Sequence, residues 1–489
     1  MSTRAIASST LWQIASQAGM AVLSILAAKF VAVGLSKEFA GYYNSAYGYL
    51  QIFAVIADFG LYAVAVREVS KAQGKERENV LGALLVLRSG ILLLSMAVAL
   101  SIVWIVPHWR GTPFPIGVTI AALVPFFTLL AGMIRTVFQV EYRMHFVFIA
   151  EVMQRILTTL GMGMFILAGV RLSSDRHVFE WFLWIGGLGA FLLFLLSAIY
   201  AERFMRVRPY FDRVLLKKLA LLAAPYGIAY LMMAMYRQLD VAFIALLRPD
   251  FAIQNAYYGF AGRVEDMAFL IPTFLLNSIL PILTFRLAQK QDVRSLLGKT
   301  LFILLLTGST FFLFSFLWAK PFTLLFATPS YLSTVEHPGS DTAFALMSIP
   351  MFLNGIILFS FYVFLAVHAW KRLTLSFGIG VLLVIILNLL WTPLFGFVGA
   401  ASAMIAVHVF LAVILLPQTQ RLSPIGFHWP QFFQWLVFSL VLAPILYFSA
   451  PYLTSSLRTM AAGSMMIVVL GLLAWGLGIQ RTLKWGEKM

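Results

Sequence analysis

About fourteen apolar segments, each long enough to cross a lipid bilayer, constrain this chain more than any other feature. A crossing takes roughly 20 mostly apolar residues. With 61% hydrophobic and 11% charged residues, the 489-residue chain has more apolar surface than a soluble domain could bury. The sequence therefore predicts an all-α polytopic membrane protein. The predicted spans are approximately residues 10–34, 42–66, 80–106, 115–138, 146–170, 178–201, 219–247, 254–285, 297–318, 342–367, 373–393, 396–417, 431–449 and 460–479.

The distribution of Lys and Arg predicts the orientation of these spans. A net charge of +16 would suggest a nucleic-acid partner in a soluble protein. Here the loops on the N-terminal side of the membrane carry roughly three times as many Lys and Arg residues as the opposite loops, which predicts cytoplasmic termini. No nucleic-acid partner is expected. The basic segment 203–218 is expected to rest on anionic lipid head groups.

The chain contains no cysteine, which excludes disulfides, thiolate metal sites and cysteine nucleophiles. No metal site or catalytic set is predicted from the remaining residues. The first apolar run lacks a convincing cleavage region, so it is interpreted as a span and not as a signal peptide.

A weak internal repeat predicts the domain organisation. Gly41–Ala46 (Gly-Tyr-Tyr-Asn-Ser-Ala) is echoed by Ala256–Ala261 (Ala-Tyr-Tyr-Gly-Phe-Ala), and a Leu-Gly pair follows each at nearly the same offset. Two parallel halves typically enclose a transporter's substrate site. We therefore expect two six-helix lobes around a central cavity, related by an axis along the membrane normal. The expected boundaries are 1–202 and 219–420 for the lobes, 203–218 for the linker, and 421–489 for two extra C-terminal helices and a tail.

Charged residues inside the predicted spans are the candidate binding groups, because ionised side chains at membrane depth normally face a protein interior or a water-filled cavity. The basic candidates for binding an anion are Lys29, Arg88, Arg155, Arg237 and Arg263. Arginine offers planar, bidentate recognition of phosphate that lysine lacks. Two structural alternatives stay open: Arg155 lies one turn after Glu151 and is placed to neutralise it, and Lys29 is close enough to a span end to reach the interface.

The acidic candidates for a coupling ion (H⁺ or Na⁺) or a charge switch are Asp58, Asp240 and Asp266. Asp58 precedes Gly60 and is equally suited to brace a helix break there. Asp240 follows Arg237 by three residues and Asp266 follows Arg263 by three, so each pair is predicted to share a helical face. His408, in the middle of its span, is a proton-relay candidate, with a packing role as the favoured alternative.

Several of the same segments resemble a known family. They are Phe39–Ala46, Ala57–Leu61, Val66–Glu68, Phe138–Met144, Glu151 with Arg155, Gln238–Asp240, Tyr257–Tyr258 and Pro281. Together, over roughly residues 10–420, they resemble the polysaccharide flippases of O-antigen type, within the multidrug/oligosaccharidyl-lipid/polysaccharide exporter superfamily. The resemblance implies a bacterial inner-membrane flippase that moves undecaprenyl-pyrophosphate-linked oligosaccharide to the periplasmic leaflet.

Other functions remain open at the level of sequence. A peptidoglycan-precursor flippase shares the same physics. An organic-cation exporter of the same superfamily should have an acidic cavity with few arginines, which is opposite to the tendency here. A polytopic polysaccharide polymerase or ligase would need an extended outer loop, whereas the longest predicted one, 319–341, has about twenty residues. The expected partners are the lipid-linked oligosaccharide, anionic membrane lipids and other polysaccharide-assembly proteins, with no cofactor.

Overall fold

The computed structural model describes residues 23–482, which fold into helices joined by short loops. Eleven of these helices are long and apolar enough to cross a membrane, and a twelfth crossing is formed if a bent pair of segments is counted as one span. The prediction of an all-α, multi-pass membrane protein is confirmed. Part of the first predicted span, residues 10–22, and the end of the tail, 483–489, lie outside the described residues.

The described chain divides into two compact units, and the boundary in the sequence falls between Ala256 and Tyr257. The helices of the first unit are α1 (Leu23–Gly34), α2 (Lys37–Asp58), α3 (Leu61–Lys71), α4 (Gly74–Ile105), α5 (Phe114–Ala121), α6 (Leu123–Val140), α7 (His145–Leu167), α8 (Arg176–Ala201), α9 (Arg213–Gln238) and α10 (Asp240–Leu247). Helix α11 (Phe251–Ala288) begins in the first unit and continues into the second. The lobe boundaries expected from the sequence stay a prediction.

The second unit continues with α12 (Arg294–Leu317), α13 (Ala319–Phe326), α14 (Ser340–Ala366), α15 (Trp370–Phe395), α16 (Phe397–Leu422), α17 (Trp429–Ser449), α18 (Ser456–Gly476) and α19 (Ile479–Thr482). Helix α14 is packed against both α12 and α16, and it is the most buried of the membrane-length helices among the described residues. The two extra C-terminal helices pack on α12 through a buried cluster that includes Phe302, Trp318 and Leu442. The Trp318 indole also donates a hydrogen bond to the Leu446 carbonyl.

Three predicted spans each contain two helices in the structure. In the span 115–138, α5 and α6 are separated only by Ala122 and together form one membrane-length segment. The other two spans are interrupted more strongly, so their prediction as single helices was wrong. The span 42–66 breaks after Asp58, where Phe59 and Gly60 both have left-handed backbone with φ of 39° and 63°. The span 219–247 begins earlier, at Arg213, bends by 52° around Pro225, and is interrupted again at Leu239. Proline removes a helical hydrogen bond and clashes with the preceding turn, which explains the first of these two bends.

Close backbone contact in the first unit depends on glycine. A Cβ atom added to Gly41 in α2 would overlap the carbonyl group of Ala252, at the start of α11. Three polar groups join the same elements: Asn44 donates to the Asn255 carbonyl, and the Asn255 amide donates to Ser45 Oγ at 2.8 Å. The sequence element Gly41–Ala46 is therefore a helix-packing surface in this structure.

Candidate functional site

An ion pair joins the break between α2 and α3 to the middle of α4. Arg88 Nη2 lies 2.6 Å from Asp58 Oδ1, and the Arg88 side chain is only 2% exposed. Left-handed backbone is readily adopted by Gly60 but costs roughly 1–2 kcal/mol at a residue with a Cβ, such as Phe59. The pair anchors the last residue of α2 beside this strained turn. The ion pair is compatible with the bracing role for Asp58, and both this role and that of a coupling-ion ligand stay predictions.

The Arg88 guanidinium has more donors than this one carboxylate uses. Its Nε and Nη1 atoms are buried and have no hydrogen-bond partner. A guanidinium offers five N–H donors, and each buried donor without a partner costs about 1–3 kcal/mol. Because those donors lie in a fixed plane, an anion with several oxygens, such as a phosphate, would satisfy them together.

Helix α9 brings a second arginine near this ion pair. Tyr230 lies within electrostatic range of Asp58, Arg88 and Arg237. Arg237 and Asp240 are both buried, with 8% and 6% of their surface exposed. Asp58, Arg88 and Arg237 therefore lie around Tyr230 in the first unit, and Asp240 follows Arg237 by three residues in the sequence.

Their spacing predicted that Arg237 and Asp240 share one helical face. In the structure the two residues lie in different helices. Helix α9 ends at Gln238 and α10 begins at Asp240, so the two residues flank the interruption at Leu239. Leu239 itself keeps right-handed helical backbone, with φ −85° and ψ −26°. The two residues therefore lie on either side of a one-residue interruption whose backbone remains close to helical.

A second ion pair extends the polar region of the first unit. Arg135 Nη1 of α6 lies 3.1 Å from Glu151 Oε1 of α7. Tyr62 of α3 lies within electrostatic range of Arg135, Glu151 and Asp58. This cluster explains why Glu151 is tolerated in an apolar span, since its charge is compensated by a neighbouring helix. Arg155 lies one helical turn further along α7.

The second unit contains a different buried polar group, formed by three helices. Asn354 of α14 donates from Nδ2 to Glu265 Oε1 of α11 at 3.1 Å, and its Oδ1 lies 3.1 Å from His408 Nε2 of α16. His408 Nδ1 lies 2.8 Å from the Met404 carbonyl oxygen. Glu265 is 4% exposed, and Asn354 and His408 are fully buried. These contacts form one continuous hydrogen-bonded chain.

The predicted site residues divide between the two units. Lys29, Asp58, Arg88, Arg155, Arg237 and Asp240 belong to the first unit, and Arg263 and Asp266 to the second. The structure brings Asp58, Arg88 and Arg237 together. Lys29 is half-buried on α1, Arg263 is half-buried and Asp266 is exposed. The binding and coupling roles of all eight stay predictions.

Sequence reasoning did not select Glu265 or Asn354 as site residues, and it favoured a packing role for His408. A signal was present, because all three polar residues lie near the middle of apolar spans. Their meeting was not predictable, because it requires the relative rotation of three helices. Among residues 23–482, no group of three His, Asp or Glu side chains is arranged to hold a metal ion.

Solved membrane transporters share this fold at low sequence identity. The inward closed conformation of the lipid II flippase MurJ superposes with a TM-score of 0.70 at 14% identity, covering 95% of this chain and 97% of that one. An inward-facing multidrug resistance MATE family transporter of the MOP superfamily gives 0.59 at 12% identity, covering 82% and 95%. A MOP superfamily transporter from Pyrococcus furiosus gives 0.58 at 13%, covering 86% and 96%. The fold is therefore that of MOP-type transporters.

No curated protein matches the sequence. A family model described as "Polysaccharide biosynthesis protein" matches residues 6–285, which is more than half of the 489 residues and includes Asp58, Arg88, Arg237 and Asp240. The chain belongs to this polysaccharide biosynthesis family.

Proposed function

We propose that this protein is a flippase that moves undecaprenyl-pyrophosphate-linked oligosaccharide, an O-antigen or related surface-polysaccharide repeat unit, from the cytoplasmic to the periplasmic leaflet. Membership of a polysaccharide biosynthesis family supports a sugar cargo. The similar fold of a lipid II flippase supports a lipid-linked one. The proposal includes an inner-membrane location, cytoplasmic termini, alternating access and coupling to an ion.

The buried Arg88 side chain is the observation that carries this proposal. A pyrophosphate head group has to exchange its water shell for other donors as it crosses a low-dielectric region. Arg88 provides Nε and Nη1 donors that no protein group uses. Asp58 fixes the orientation of the guanidinium through Nη2, so these donors keep a defined direction. Arg237, near Tyr230, is the second arginine assigned to the head group.

Replacing Arg88 tests this assignment. The gene is expressed in a bacterial strain that makes lipid-linked repeat units but lacks its own flippase, and surface polysaccharide and membrane abundance are measured together. Arg88→Ala should lower transport by about 10- to 100-fold at equal abundance, as expected for the loss of charge-assisted hydrogen bonds. Arg88→Lys should restore little, because it lacks the planar donor set. Arg176→Ala, an exposed arginine paired with Glu180, is the matched control.

Normal surface polysaccharide in the Arg88→Ala strain would overturn the assignment. A wild-type protein that fails to complement the strain, yet lowers accumulation of an organic cation such as ethidium, would instead show a drug exporter. Complementation of a strain that lacks its peptidoglycan-precursor flippase, without any surface polysaccharide, would show that alternative cargo.

Orientation is testable by cysteine labelling, because the natural chain has no cysteine. Val335 lies in the loop between α13 and α14, and Phe211 lies between α8 and α9; both are exposed. A membrane-impermeant maleimide should label Val335→Cys in intact cells. It should label Phe211→Cys only after the membrane is opened. The reverse pattern would contradict cytoplasmic termini.

A further inference from the structure

The buried chain Glu265–Asn354–His408 in the second unit has donors and acceptors that specify its protonation. The Met404 carbonyl oxygen next to His408 Nδ1 accepts hydrogen bonds and cannot donate them. Asn354 Oδ1, next to His408 Nε2, is also only an acceptor while the amide nitrogen donates to Glu265. Both imidazole nitrogens therefore have to carry hydrogen. In this arrangement His408 is a cation and Glu265 is a carboxylate, with the Asn354 amide between them.

A second arrangement satisfies the same three side chains with the same number of protons. If the Asn354 amide rotates by 180° about χ2, Oδ1 and Nδ2 exchange places. Nδ2 then donates to His408 Nε2, and Oδ1 accepts from a protonated Glu265 carboxyl group. The imidazole is then neutral and still donates from Nδ1 to the Met404 carbonyl. Both arrangements hold one more proton than a neutral His408 with an ionised Glu265. In both, the three side chains together have no net charge.

Removing that proton leaves the group unsatisfied. A neutral His408 that donates from Nδ1 presents a lone pair at Nε2, which then faces the lone pairs of Asn354 Oδ1. Loss of the proton therefore breaks the hydrogen bond between the His408 imidazole and the Asn354 amide, at a site where Glu265 is only 4% exposed and His408 is fully buried. A buried polar group that loses its hydrogen bond is disfavoured, so the geometry favours the form that holds the proton.

We propose that Glu265, Asn354 and His408 form a proton-binding site in the second unit, whose ligand is H⁺, and that its loading and release drive the conformational cycle. Coupling to cargo rests on the proposed flippase function, whereas proton binding at this site does not. Histidine and glutamate change charge within the range that a cell controls, which arginine does not.

Other titratable groups on the helices that meet here lie further along their axes, apart from two neighbours on α11. Arg263 and Asp266 lie within one turn of Glu265. Asp341 and Arg421 each lie 13 residues from Asn354 and His408, which is about 20 Å along an α-helix. Tyr362 is bonded to Asn277, two turns beyond Asn354. The remaining ones are Tyr257, Tyr258 and Arg286 on α11, Arg294 and Lys299 on α12, and Lys371 and Arg372 on α15. Glu265 and His408 are therefore the two ionisable side chains that the hydrogen-bonded chain itself contains.

Infrared spectroscopy of the purified full-length protein in lipid nanodiscs tests proton binding without any cargo. A pH titration should show a carboxyl-stretch change in the wild type that is missing in Glu265→Gln and shifted in pH in His408→Asn. Glu336→Gln and His337→Asn are the matched controls, because they change the same residue types in the exposed loop before α14. Both controls should keep the wild-type signal. A Glu265→Gln protein with an unchanged signal would overturn the site.

Transport in proteoliposomes then tests coupling, with undecaprenyl-pyrophosphate-linked oligosaccharide as cargo and an imposed pH gradient. One proton per cargo should change the equilibrium distribution about tenfold per pH unit. Glu265→Gln should lose this response while still letting cargo equilibrate without a gradient. A wild-type response to a sodium gradient alone, or a full pH response in Glu265→Gln, would overturn the proposal. If the cargo does not move at all, the infrared result still stands, so failure of the flippase function is distinguishable.

Discussion

The two units bury their polar groups in different ways, and the difference separates two kinds of chemistry. In the first unit, arginines within the spans meet carboxylates directly, as in Asp58–Arg88, where the arginine is buried, and in the partly exposed pair Arg135–Glu151. In the second unit an amide lies between a carboxylate and an imidazole. Arginine stays charged at every physiological pH, so it suits a permanent anion such as a phosphate. A Glu–Asn–His chain contains two side chains that can bind and release a proton and has no permanently charged group, so it suits a coupling ion.

The Asp58–Arg88 pair offers the strongest way to break this comparison. Arg88→Met should lower the free energy of unfolding by about 3 kcal/mol, because the partly buried Asp58 loses its partner. The double variant Arg88→Met with Asp58→Asn should regain most of that stability but not transport. Thermal stability in detergent and surface polysaccharide are measured for all three proteins. A double variant that transports normally would make the pair purely structural, and the first unit would lose its assigned role in binding.

Variants of Arg237 and Asp240 test whether a charge pair in the first unit separates when cargo binds. If they form a standing ion pair, removing either one destabilises the protein by about 2–3 kcal/mol and the double variant Arg237→Gln with Asp240→Asn recovers both abundance and flipping. If the cargo takes Arg237 and frees Asp240, the double variant folds but stays inactive. We expect the second result, since the two residues flank the helix interruption at Leu239. An active double variant, measured at equal abundance, would decide for the standing pair.

Backbone contact is a further difference, testable at glycines in the two units. Gly41→Ala should destabilise the protein by about 1–3 kcal/mol, because the new methyl group overlaps the Ala252 carbonyl. Gly378→Ala, in α15 of the second unit, meets open space and should be neutral or stabilising by up to roughly 1 kcal/mol. Melting temperatures of the two variants provide the comparison. Equal effects would show that α2 is free to move away from α11 at no cost.

The sequence was sufficient for the fold class because apolar spans are a strong, local signal. It offered a helix break at Gly60 as one of two explanations for Asp58, although residues 42–66 were predicted as a single span. The interruption at Leu239 was not predictable, because its backbone stays helical and no glycine or proline marks it. The helix propensities of the residues carry no information about such an interruption, because it depends on how α9 and α10 pack.

The candidate site was only partly predictable, for a similar reason. Arg88 was selected because a charge in an apolar span needs an explanation, and the structure places it against Asp58. Asn354 was missed because an uncharged amide in a span is common, and its importance depends on which side chains flank it. Glu265 was passed over for Asp266, its neighbour in sequence, although Glu265 is the buried one and Asp266 is exposed. One step along a helix turns a side chain by about 100°, so burial could not be assigned without the neighbouring helices.

The smallest expected effect lies in the first unit outside the spans, where Arg248 and Gln254 hold the Asp250 carboxylate between α10 and α11. Burial alone disfavours the charged form, but the hydrogen bonds from Arg248 and Gln254 outweigh it, so the pKa of Asp250 lies below its ordinary value. A carboxylate with a depressed pKa contributes stability above its unfolded pKa of about 3.9 and loses it as the pH falls through the folded value. Solvent screening keeps this contribution below about 1 kcal/mol. Melting temperatures of the wild type and Asp250→Asn should therefore differ slightly near neutral pH and converge in acid. A difference in melting temperature that persists unchanged in acid would show that the charge of the Asp250 carboxylate does not stabilise this turn. The turn would then differ from the arginine–carboxylate pairs within the spans.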